Sequence, residues 1–576
     1  METLDLGGVT VQRDHPVPMR DGVTLAADLY CPNGVHEPLP VLLQRTPYNK
    51  RFAQTGVYQH PAWYARQGYV VVVQDTRGRF ASEGDFVPYA REAEDGFDTI
   101  AWAAALPDTT GLVGTIGFSY AGMNQLLTAG LDPPSLACMA VGCASTDFHD
   151  GWTYRGGALQ LAFVLSWTIQ ALAAPDAIRR QDLAGARNIR DWALNLSQAF
   201  KRPLSAWLKS GELPWFFNDW IKHEARDEYW ASLVPPTLHR DITVPCLHVT
   251  GWYDTFIEGG LRNFQQLCLE STAGAAQHLV VGPWQHVPWI PLNGIIDHGP
   301  TAENPIDDLQ LRWFDHWLKG RPLNEVWSKV RYFLMGANCW NEARHWPPRA
   351  ETCTLYLHSS GCAGSRQRDG RLLLEPPLDQ PPDVFVYDPG DPVPSVGGNS
   401  CCRADVAPVG AFDQRSVELR NDVLVYTSSP LNADCDVVGA VELVLHAASD
   451  APDTDWTAKL VDVHPDGAAI NICDGILRAR YRESLALPKP LLPGDIHQYR
   501  ISLGATAMRF KAGHAIRLEV SSSNFPCYDA NPNTGGRLAT EEPIDARLAT
   551  QIVYHQPDRE SRLILTVGPS RPSFAP

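Results

Sequence analysis

Residues 114–122 read GTIGFSYAG and place Ser119 among very small neighbours. The run ends an apolar stretch with strand character and leads into a helical pattern over residues 123–129. A sharp strand-to-helix turn needs small flanking residues, because the two backbones approach closely while the serine oxygen stays exposed above the sheet. Ser119 is therefore a candidate nucleophile, although Ala121 stands where the usual motif has its second glycine.

An aspartate and a histidine follow later apolar stretches, in the chain order Ser, Asp, His. Asp254 closes the string GWYD after the stretch 246–250, and His286 closes GPWQH after the stretch 278–281. Serine needs a neutral imidazole to accept its proton and a carboxylate to fix the tautomer of that imidazole. Alone, Asp254 would be read as a turn or capping residue and His286 as a surface histidine. Their order and their positions at strand ends instead predict a triad for acyl transfer.

Acyl transfer also needs hydrogen-bond donors aimed at the oxyanion that develops on the substrate. The amide of Tyr120, directly after the nucleophile, is one natural donor. The second should come from residues 44–50, the loop after the apolar stretch 41–43. Pro47 has no amide hydrogen, so the Tyr48 hydroxyl is a candidate donor; a buried aromatic anchor is the alternative interpretation of Tyr48.

The elements that must position these residues are strands buried on both faces. Continuous apolar runs at 41–43, 69–73 and 113–117 are typical of such strands, and residues 91–105 carry one apolar stripe at helical spacing. Strand, helix and strand in that order predict a parallel sheet with crossover helices. Together with the ordered Ser, Asp and His, this pattern predicts an α/β-hydrolase fold.

The strand pattern is interrupted between about residues 146 and 240. Stretches 160–174 and 181–207 are predicted to be helical, and the segment is rich in tryptophan. A lid over a pocket and a small helical subdomain with an indole-filled core both fit this composition. Strand signals resume at 246–250, which favours a helical cap inserted into one sheet.

After about residue 346 the pattern changes to short runs that alternate apolar and polar residues, as at 354–358, 441–445 and 516–520. Strands with one buried face have this period of two. Residues 380–398 are predicted to form a long loop. The predicted organisation is an α/β-hydrolase domain over 1–145 and 241–345, a helical cap over 146–240, and an all-β jelly-roll domain over 346–576.

Composition narrows the classes of partner. The formal net charge of −17 and the absence of a basic cluster argue against nucleic-acid binding. Neither a signal peptide nor a membrane span is evident, so a cytoplasmic protein is expected. The thirteen cysteines show no C-x-x-C pair, which predicts no disulfide framework and no metal site, and the neighbours Cys401 and Cys402 are not expected to pair. A homodimer is compatible with a chain of this size.

The motifs together resemble the CocE/NonD family of serine hydrolases, which includes cocaine esterase and glutaryl acylase and is related to X-prolyl dipeptidyl peptidases. The resemblance covers nearly the whole chain. It is carried by MRDGV at 19–23, RTPY at 45–48, QDTRG at 74–78 with SEG at 82–84, the serine turn, GWYD, GPWQH, DTD at 453–455 and SSSNFP at 521–526.

The resemblance implies an active site where three parts of the chain meet, with Tyr48 donating its hydroxyl to the oxyanion beside the Tyr120 amide. It also implies that Trp152, Trp167 and Phe256 enclose the acyl group of the substrate. The charged string at 75–79 is expected to tie loops together near the site. Relatives that hydrolyse α-amino acid esters carry acidic residues just after the triad aspartate, where this chain has Thr255 and Phe256.

The predicted function is hydrolysis of a small ester, with an aromatic acyl group favoured, and no cofactor is required. An acylase that cleaves amides or transfers acyl groups is the first alternative, and an X-prolyl dipeptidyl aminopeptidase the second. In the peptidase, Asp219 or Glu224 of the cap would bind the substrate amine. A carbohydrate-binding or scaffolding role fits the jelly roll alone but not the ordered Ser119, Asp254 and His286.

Overall fold

The computed structural model describes residues 2–52, 56–323, 327–348, 351–568 and 571–575. Its first sheet has the strand order β1-β2-β3-β5-β4-β6-β7-β10-β11-β14-β15. These strands are β1 (Thr3–Asp5), β2 (Val9–Pro18), β3 (Thr24–Pro32), β4 (Leu39–Thr46), β5 (Val70–Asp75), β6 (Thr109–Phe118), β7 (Leu136–Gly142), β10 (Cys246–Tyr253), β11 (Gln277–Gln285), β14 (Val330–Leu334) and β15 (Cys339–Ala343). The strands from β5 to β14 along this order run parallel, and both edges of the sheet are antiparallel.

Helices cover both faces of this sheet. They are α1 (Pro61–Arg66), α2 (Glu92–Ala104), α3 (Tyr120–Ala129), α12 (Ile257–Glu270) and α13 (Ile306–Lys319). The predicted buried strands and the predicted helix at 91–105 are confirmed as parts of β4, β5, β6 and α2. The order of the parallel strands brings the carboxyl ends of β6, β10 and β11 to one edge, where the predicted triad residues follow them.

Between β7 and β10 lies the helical cap. It holds the short pair β8 (Tyr154–Arg155) and β9 (Ala158–Leu159), and the helices α4 (Leu161–Trp167), α5 (Ala174–Arg179), α6 (Leu183–Leu194), α7 (Leu196–Ala199), α8 (Leu204–Ser210), α9 (Trp215–Lys222), α10 (Glu228–Ala231) and α11 (Leu238–Asp241). A π-helical turn, Thr168–Ala173, joins α4 to α5. The stretch 181–207, predicted to be helical, forms α6, α7 and the start of α8, and Pro203 caps α8.

The continuous helical stretch Leu161–Arg179 is long and apolar enough to cross a membrane, and it is the one described helix of which this is true. Most of it is buried inside the protein, where α4 packs among the aromatic side chains of the cap. Its hydropathy is therefore accounted for by core packing.

The remaining chain is all-β, as predicted. Its strands are β16 (Glu351–His358), β17 (Arg371–Leu373), β18 (Asp383–Tyr387), β19 (Leu424–Thr427), β20 (Cys435–Ser449), β21 (Asp455–Val463), β22 (Ala469–Arg478), β23 (His497–Phe510), β24 (Ala515–Ser521), β25 (Ala549–Gln556), β26 (Arg559–Glu560) and β27 (Arg562–Val567). The loop predicted over 380–398 is interrupted by β18, which pairs with β25. Two further short strands, β12 (Leu292–Asn293) and β13 (Ile296–Asp297), lie between β11 and α13.

The three parts of the chain are in direct contact around the carboxyl edge of the first sheet. The Tyr253 hydroxyl at the end of β10 donates to the Asn471 carbonyl of β22 at 2.9 Å. The Ala162 amide of the cap donates to the Pro526 carbonyl of the β-domain at 2.9 Å. The fold therefore brings the three parts together at this edge of the sheet. The exact domain boundaries at 145, 240 and 345 stay predictions.

The expectation that Cys401 and Cys402 do not pair is wrong in this structure, which joins them in a disulfide. The pair follows Ser400, whose backbone forms an isolated bridge with Asp254. Neighbouring cysteines rarely form a disulfide, which is why no pair was expected. The backbone of this loop, where Cys402 has a φ of 82°, could not be predicted from the sequence.

Candidate active site

Ser119 lies on a strained turn between β6 and α3. Its φ is 59° and its ψ is −127°, a region that residues other than glycine rarely occupy. A Cβ on Gly117 would lie 2.6 Å from the Ala121 carbonyl oxygen, and one on Gly122 would lie 2.6 Å from the Gly142 carbonyl oxygen. These two positions therefore require glycine, whereas Ala121 is accommodated, which explains the departure from the usual motif.

His286 and Asp254 form the pair predicted for them. Nδ1 of His286 lies 2.8 Å from Oδ1 of Asp254, and both side chains are almost completely buried. The imidazole ring packs 5.7 Å from the ring of Phe118, the residue before Ser119. Because Nδ1 faces the carboxylate, Nε2 is the ring nitrogen left to exchange a proton with a substrate or a nucleophile.

The Asp254 carboxylate is held by several donors besides His286. The Thr250 hydroxyl donates to Oδ2 at 3.0 Å, the Phe256 amide to Oδ1 at 3.0 Å, and the Cys143 thiol is a further donor. Burial by itself would raise the pKa of Asp254, but the charge of His286 and these hydrogen bonds lower it below its ordinary value. Asp254 is therefore an anion throughout the neutral range.

Tyr48 follows β4, and its hydroxyl contacts the Ser119 hydroxyl. The indole N–H of Trp167 donates to the Tyr48 hydroxyl at 3.0 Å. Burial raises the pKa of Tyr48 to about 12, although the bonds from Trp167 and Ser119 and the charge of Arg79 oppose the rise. The hydroxyl therefore keeps its proton and can donate it to an oxyanion in a hydrogen bond.

Tyr120 occupies the first position of α3, so its amide has no partner within the helix. Its side chain points into the core, where its hydroxyl donates to Glu92 at 2.9 Å and accepts from the Tyr89 amide at 3.0 Å. The side chain anchors the turn, and the backbone N–H, directly after Ser119, stays the candidate oxyanion donor.

The three aromatic residues predicted to enclose an acyl group form one cluster with their rings in contact. Trp152 stacks on Phe256 with ring centroids 4.3 Å apart, and it meets Trp167 edge-on at 5.8 Å. Phe256 in turn contacts the ring of His286 at 5.2 Å. The cluster therefore bridges the space between Tyr48, which bonds to Trp167, and the base His286.

Arg79 ties the Tyr48 loop to the cap, as expected for the charged string at 75–79. Its buried guanidinium donates to the Pro47 carbonyl at 3.0 Å and to the carbonyls of Ala171 and Leu172 at 2.7 and 3.2 Å. Burial lowers the pKa of Arg79 to about 10, so the group still carries its charge at neutral pH. The charge acts on Tyr48, where it opposes the rise in pKa that burial causes.

Several residues of this site were not predicted from the sequence. Cys143 follows β7, Thr250 lies inside β10, and the Asn399 side-chain amide holds the carbonyl of Asp254 at 3.0 Å from the β-domain. Cys143 had one available signal, since it stands at the carboxyl end of a strand beside the serine turn. Asn399 had none, because its contact depends on how the two domains pack.

The strained serine after β6, the His–Asp pair on β11 and β10, and the parallel sheet define a serine hydrolase of the α/β-hydrolase type. A family model described as X-Pro dipeptidyl-peptidase (S15 family) matches residues 21–288, and one described as the X-Pro dipeptidyl-peptidase C-terminal non-catalytic domain matches residues 325–564. Cocaine esterase of Rhodococcus sp. (strain MB1 Bresler) is 38% identical over 580 residues, which cover 97% of this chain and 99% of the relative. The chain belongs to the CocE/NonD family of serine hydrolases.

Two solved structures match over nearly all of the fold. An aminopeptidase from a marine sediment Thaumarchaeota archaeon superimposes with a TM-score of 0.82 at 27% identity, covering 98% of this chain and 97% of its own. An α-amino acid ester hydrolase gives a TM-score of 0.82 at 26% identity, covering 99% and 98%. These relatives share the three-part architecture, and their names differ in the bond and substrate they describe.

Proposed function

We propose that this protein hydrolyses small neutral esters, with a preference for a planar aromatic acyl group, through an acyl-enzyme formed on Ser119. The observation that carries the proposal is the unbroken line of contacts from Asp254 through His286 and the aromatic cluster to Trp167, Tyr48 and Ser119. These contacts support a reaction in which a base, an acyl-binding surface and an oxyanion donor act around one serine hydroxyl.

In the first half of the reaction, Ser119 Oγ attacks the ester carbonyl carbon and its proton passes to Nε2 of His286. The carbonyl oxygen becomes an oxyanion, which accepts hydrogen bonds from the Tyr48 hydroxyl and the Tyr120 amide. Asp254, an anion at neutral pH, stabilises the imidazolium through Nδ1. The imidazolium then protonates the leaving alcohol as the ester C–O bond breaks, and the acyl group stays on Ser119.

In the second half, a water molecule takes the place of the alcohol. His286 accepts a proton from the water, whose oxygen attacks the acyl carbon, and the same two donors hold the second oxyanion. Collapse of this intermediate breaks the bond to Ser119 and releases the carboxylic acid. His286 returns its proton to Ser119, so the cycle consumes one water and needs no cofactor.

The acyl preference follows from the aromatic cluster, which bonds to Tyr48 through Trp167 and contacts His286 through Phe256. Trp152, Trp167 and Phe256 present ring surfaces that bury a planar apolar group and stack on it. The similarity to cocaine esterase at 38% identity supports an ester as the substrate. An aliphatic acyl group would leave part of this aromatic surface without a partner, which is the basis of the predicted preference.

The two solved neighbours favour an amine-bearing substrate instead, but the acidic residues considered for binding such an amine are otherwise engaged. Glu224 accepts a hydrogen bond from the Leu538 amide at 2.9 Å, and Asp219 pairs with Lys222 on the outer face of α9. Thr255, beside the triad aspartate, lies next to the Gln160 side chain at 3.3 Å. We therefore rank an aminopeptidase below an esterase, and an amide-cleaving acylase between them.

The test is a panel of p-nitrophenyl acetate, butyrate and benzoate with the matched p-nitroanilides, and an aminoacyl-prolyl anilide for the peptidase alternative. Wild type should turn over the esters with the highest kcat/KM on benzoate. Ser119→Ala should lose several orders of magnitude, and Ser135→Ala, which changes a serine outside the site, should behave as wild type. A fluorophosphonate probe followed by peptide mass spectrometry should label Ser119.

Each outcome assigns the function. Label on Ser119 with benzoate preferred supports the proposal in full. Label on Ser119 with anilides preferred over every ester makes the acylase the better description, and turnover of the aminoacyl-prolyl anilide alone makes it the peptidase. Full activity in Ser119→Ala would reject the triad.

A further inference from the structure

Two histidines and one aspartate converge in the β-domain, far along the chain from the triad. Asp462 Oδ1 and Oδ2 lie 2.9 and 3.1 Å from Nδ1 of His514, and Oδ2 lies 3.3 Å from Nε2 of His464. The two imidazole rings are 4.5 Å apart between centroids. One potential ligand atom from each of the three side chains lies within 4.8 Å of the other two.

The strands fix this arrangement. Asp462 is the penultimate residue of β21 and pairs with Ile516 of β24, so the turn before β24 delivers His514 beside it. His464 opens the turn between β21 and β22, where its amide donates to the Ala468 carbonyl at 2.8 Å. Two turns at one end of the sheet therefore supply the three side chains, and the carboxylate between them is buried.

A cavity of about 130 Å³ adjoins the three residues. Its wall also includes Tyr253, the residue before Asp254, and His298 from the α/β-hydrolase domain. His298 is 5% exposed, its Nδ1 lies 3.0 Å from Asn338, and its buried Nε2 has no hydrogen-bond partner among the described residues. The cavity therefore has room for several water molecules and a polar wall that a hydrated ligand would complete.

Nearby cations do not rule out a positive ligand. Arg509, on the cavity wall, is held by Asp436 with two bonds of 2.6 and 2.9 Å. Lys511 also lines the cavity, and Asp466 on the β21–β22 turn adds a negative charge near His464. The formal charge of the three converging residues, with neutral imidazoles, is −1.

We propose that Asp462, His464 and His514 bind a divalent transition-metal cation of the Zn²⁺ type, with water from the adjoining cavity completing its coordination. Two imidazoles and one carboxylate are a common protein ligand set for such ions and leave positions open for water. The ion would cross-link the two turns at the boundary with the α/β-hydrolase domain. This site departs from the sequence expectation of no metal, because its ligands come from two separate turns and form no motif.

Zn²⁺ alone is the probe, added to full-length, tag-free protein that has been treated with chelator and desalted. Isothermal titration and metal analysis after gel filtration should give one Zn²⁺ per chain, and Zn²⁺ should raise Tm. His464→Gln and His514→Gln should each weaken binding by at least about 10–100-fold, since loss of even an outer partner of a ligand has that cost. His345→Gln changes an exposed histidine outside the cluster and should bind as wild type.

A measurement on the wild type keeps the proposal testable if a variant fails to fold. Zn²⁺ should protect His464 and His514 from modification by diethyl pyrocarbonate, located by peptide mass spectrometry, and leave His345 reactive. Ester turnover of each variant checks its fold, since none of these residues touches the triad. Two outcomes would overturn the proposal: no binding at Zn²⁺ concentrations up to about 1 mM, which corresponds to a binding free energy of only about −4 kcal/mol, and binding with protection at other histidines only. Either outcome would leave a hydrogen-bonded His–Asp–His cluster.

Discussion

The indole N–H of Trp167 donates a 3.0 Å hydrogen bond to the Tyr48 hydroxyl, which itself contacts the Ser119 hydroxyl. A cap residue thus orients the side chain proposed to bind the oxyanion. The ring of the same tryptophan belongs to the cluster proposed to bind the acyl group. In the proposed reaction, acyl recognition and oxyanion stabilisation are therefore coupled through this one side chain of the cap.

Replacing Tyr48 by phenylalanine removes only the hydroxyl. We expect Tyr48→Phe to lower kcat by about 10²–10³-fold, the effect of losing one oxyanion donor, with a small change in KM. The ring stays in place, so Tm should change little. Steady-state kinetics on p-nitrophenyl benzoate test this, with Tyr356→Phe on β16 as the matched control. A wild-type kcat for Tyr48→Phe would show that Tyr48 is only an aromatic anchor.

Trp167→Phe keeps an aromatic ring but removes the N–H that holds Tyr48. Loss of one hydrogen bond of about 0.5–1.5 kcal/mol should lower kcat by about 2–10-fold. Because this bond acts through the Tyr48 hydroxyl, the Trp167→Phe change should cost almost nothing in a Tyr48→Phe background. A double-mutant cycle in kcat measures the coupling, and strictly additive losses would contradict it.

The sequence predicted the strands and the triad because these depend on local patterns. Apolar runs buried on both faces mark parallel strands, and the residue that follows such a strand is placed by the sheet itself. This is why Ser119, Asp254 and His286 could be named in advance and why the structure brings them to one edge. The role of Tyr48 was open from the residues alone, and the oxyanion role proposed for it comes from the family resemblance.

Contacts between segments far apart in the chain could not be predicted, because no local sequence pattern encodes them. Asn399 holds the Asp254 carbonyl from the β-domain, and the cluster of Asp462, His464 and His514 combines two turns. The division of the helical stretch 181–207 into three helices reflects local caps and turns that helical periodicity does not encode. The cytoplasmic location and the homodimer stay predictions.

The pH profile tests the ionisation of Asp254 and of Tyr48. The pKa of Asp254 is lower in the folded protein than in the unfolded chain. The carboxylate charge therefore stabilises the folded protein fully above the unfolded pKa, and this stabilisation is lost only as the pH falls through the folded pKa. Between pH 5 and 9 its charge is therefore constant, and the Asp254 carboxylate should impose no pH dependence on kcat/KM over this range.

Tyr48, with a pKa of about 12, keeps its proton over the same range, so no alkaline loss of kcat/KM from its ionisation is expected below pH 10. The profile is measured in constant-ionic-strength buffers with circular dichroism to exclude unfolding.

Asp254→Asn should lower kcat by about 10⁴-fold, because an amide favours the wrong imidazole tautomer. A wild-type kcat in Asp254→Asn with the fold intact would contradict the assignment of the His286–Asp254 pair.

Arg79 should support both stability and turnover. Lysine at this position keeps a charge but cannot span the carbonyls of Pro47, Ala171 and Leu172, and each buried acceptor left without a donor costs about 1–3 kcal/mol. Arg79→Lys should therefore lower Tm and kcat together, since the Tyr48 loop loses its tie to the cap. Arg51→Lys, at an exposed position of the same loop, should change neither. An unchanged Tm in Arg79→Lys would show that the three contacts are not important for stability.

In the serine turn, Gly117 and Ala121 should respond differently to substitution. Gly117 has a φ of 155°, and an added Cβ would lie 2.6 Å from the Ala121 carbonyl oxygen and 2.8 Å from the Ala121 Cβ. Gly117→Ala should therefore displace Ser119 and abolish most turnover, whereas Ala121→Gly should keep turnover within a few-fold and lower stability by up to about 1 kcal/mol, the helix cost of glycine. The double variant relieves the Cβ clash but leaves the clash with the carbonyl oxygen, so it should not recover activity. Recovery in the double variant, measured by ester turnover and labelling of Ser119, would mean that side-chain contact alone, and not the backbone approach, requires glycine at position 117.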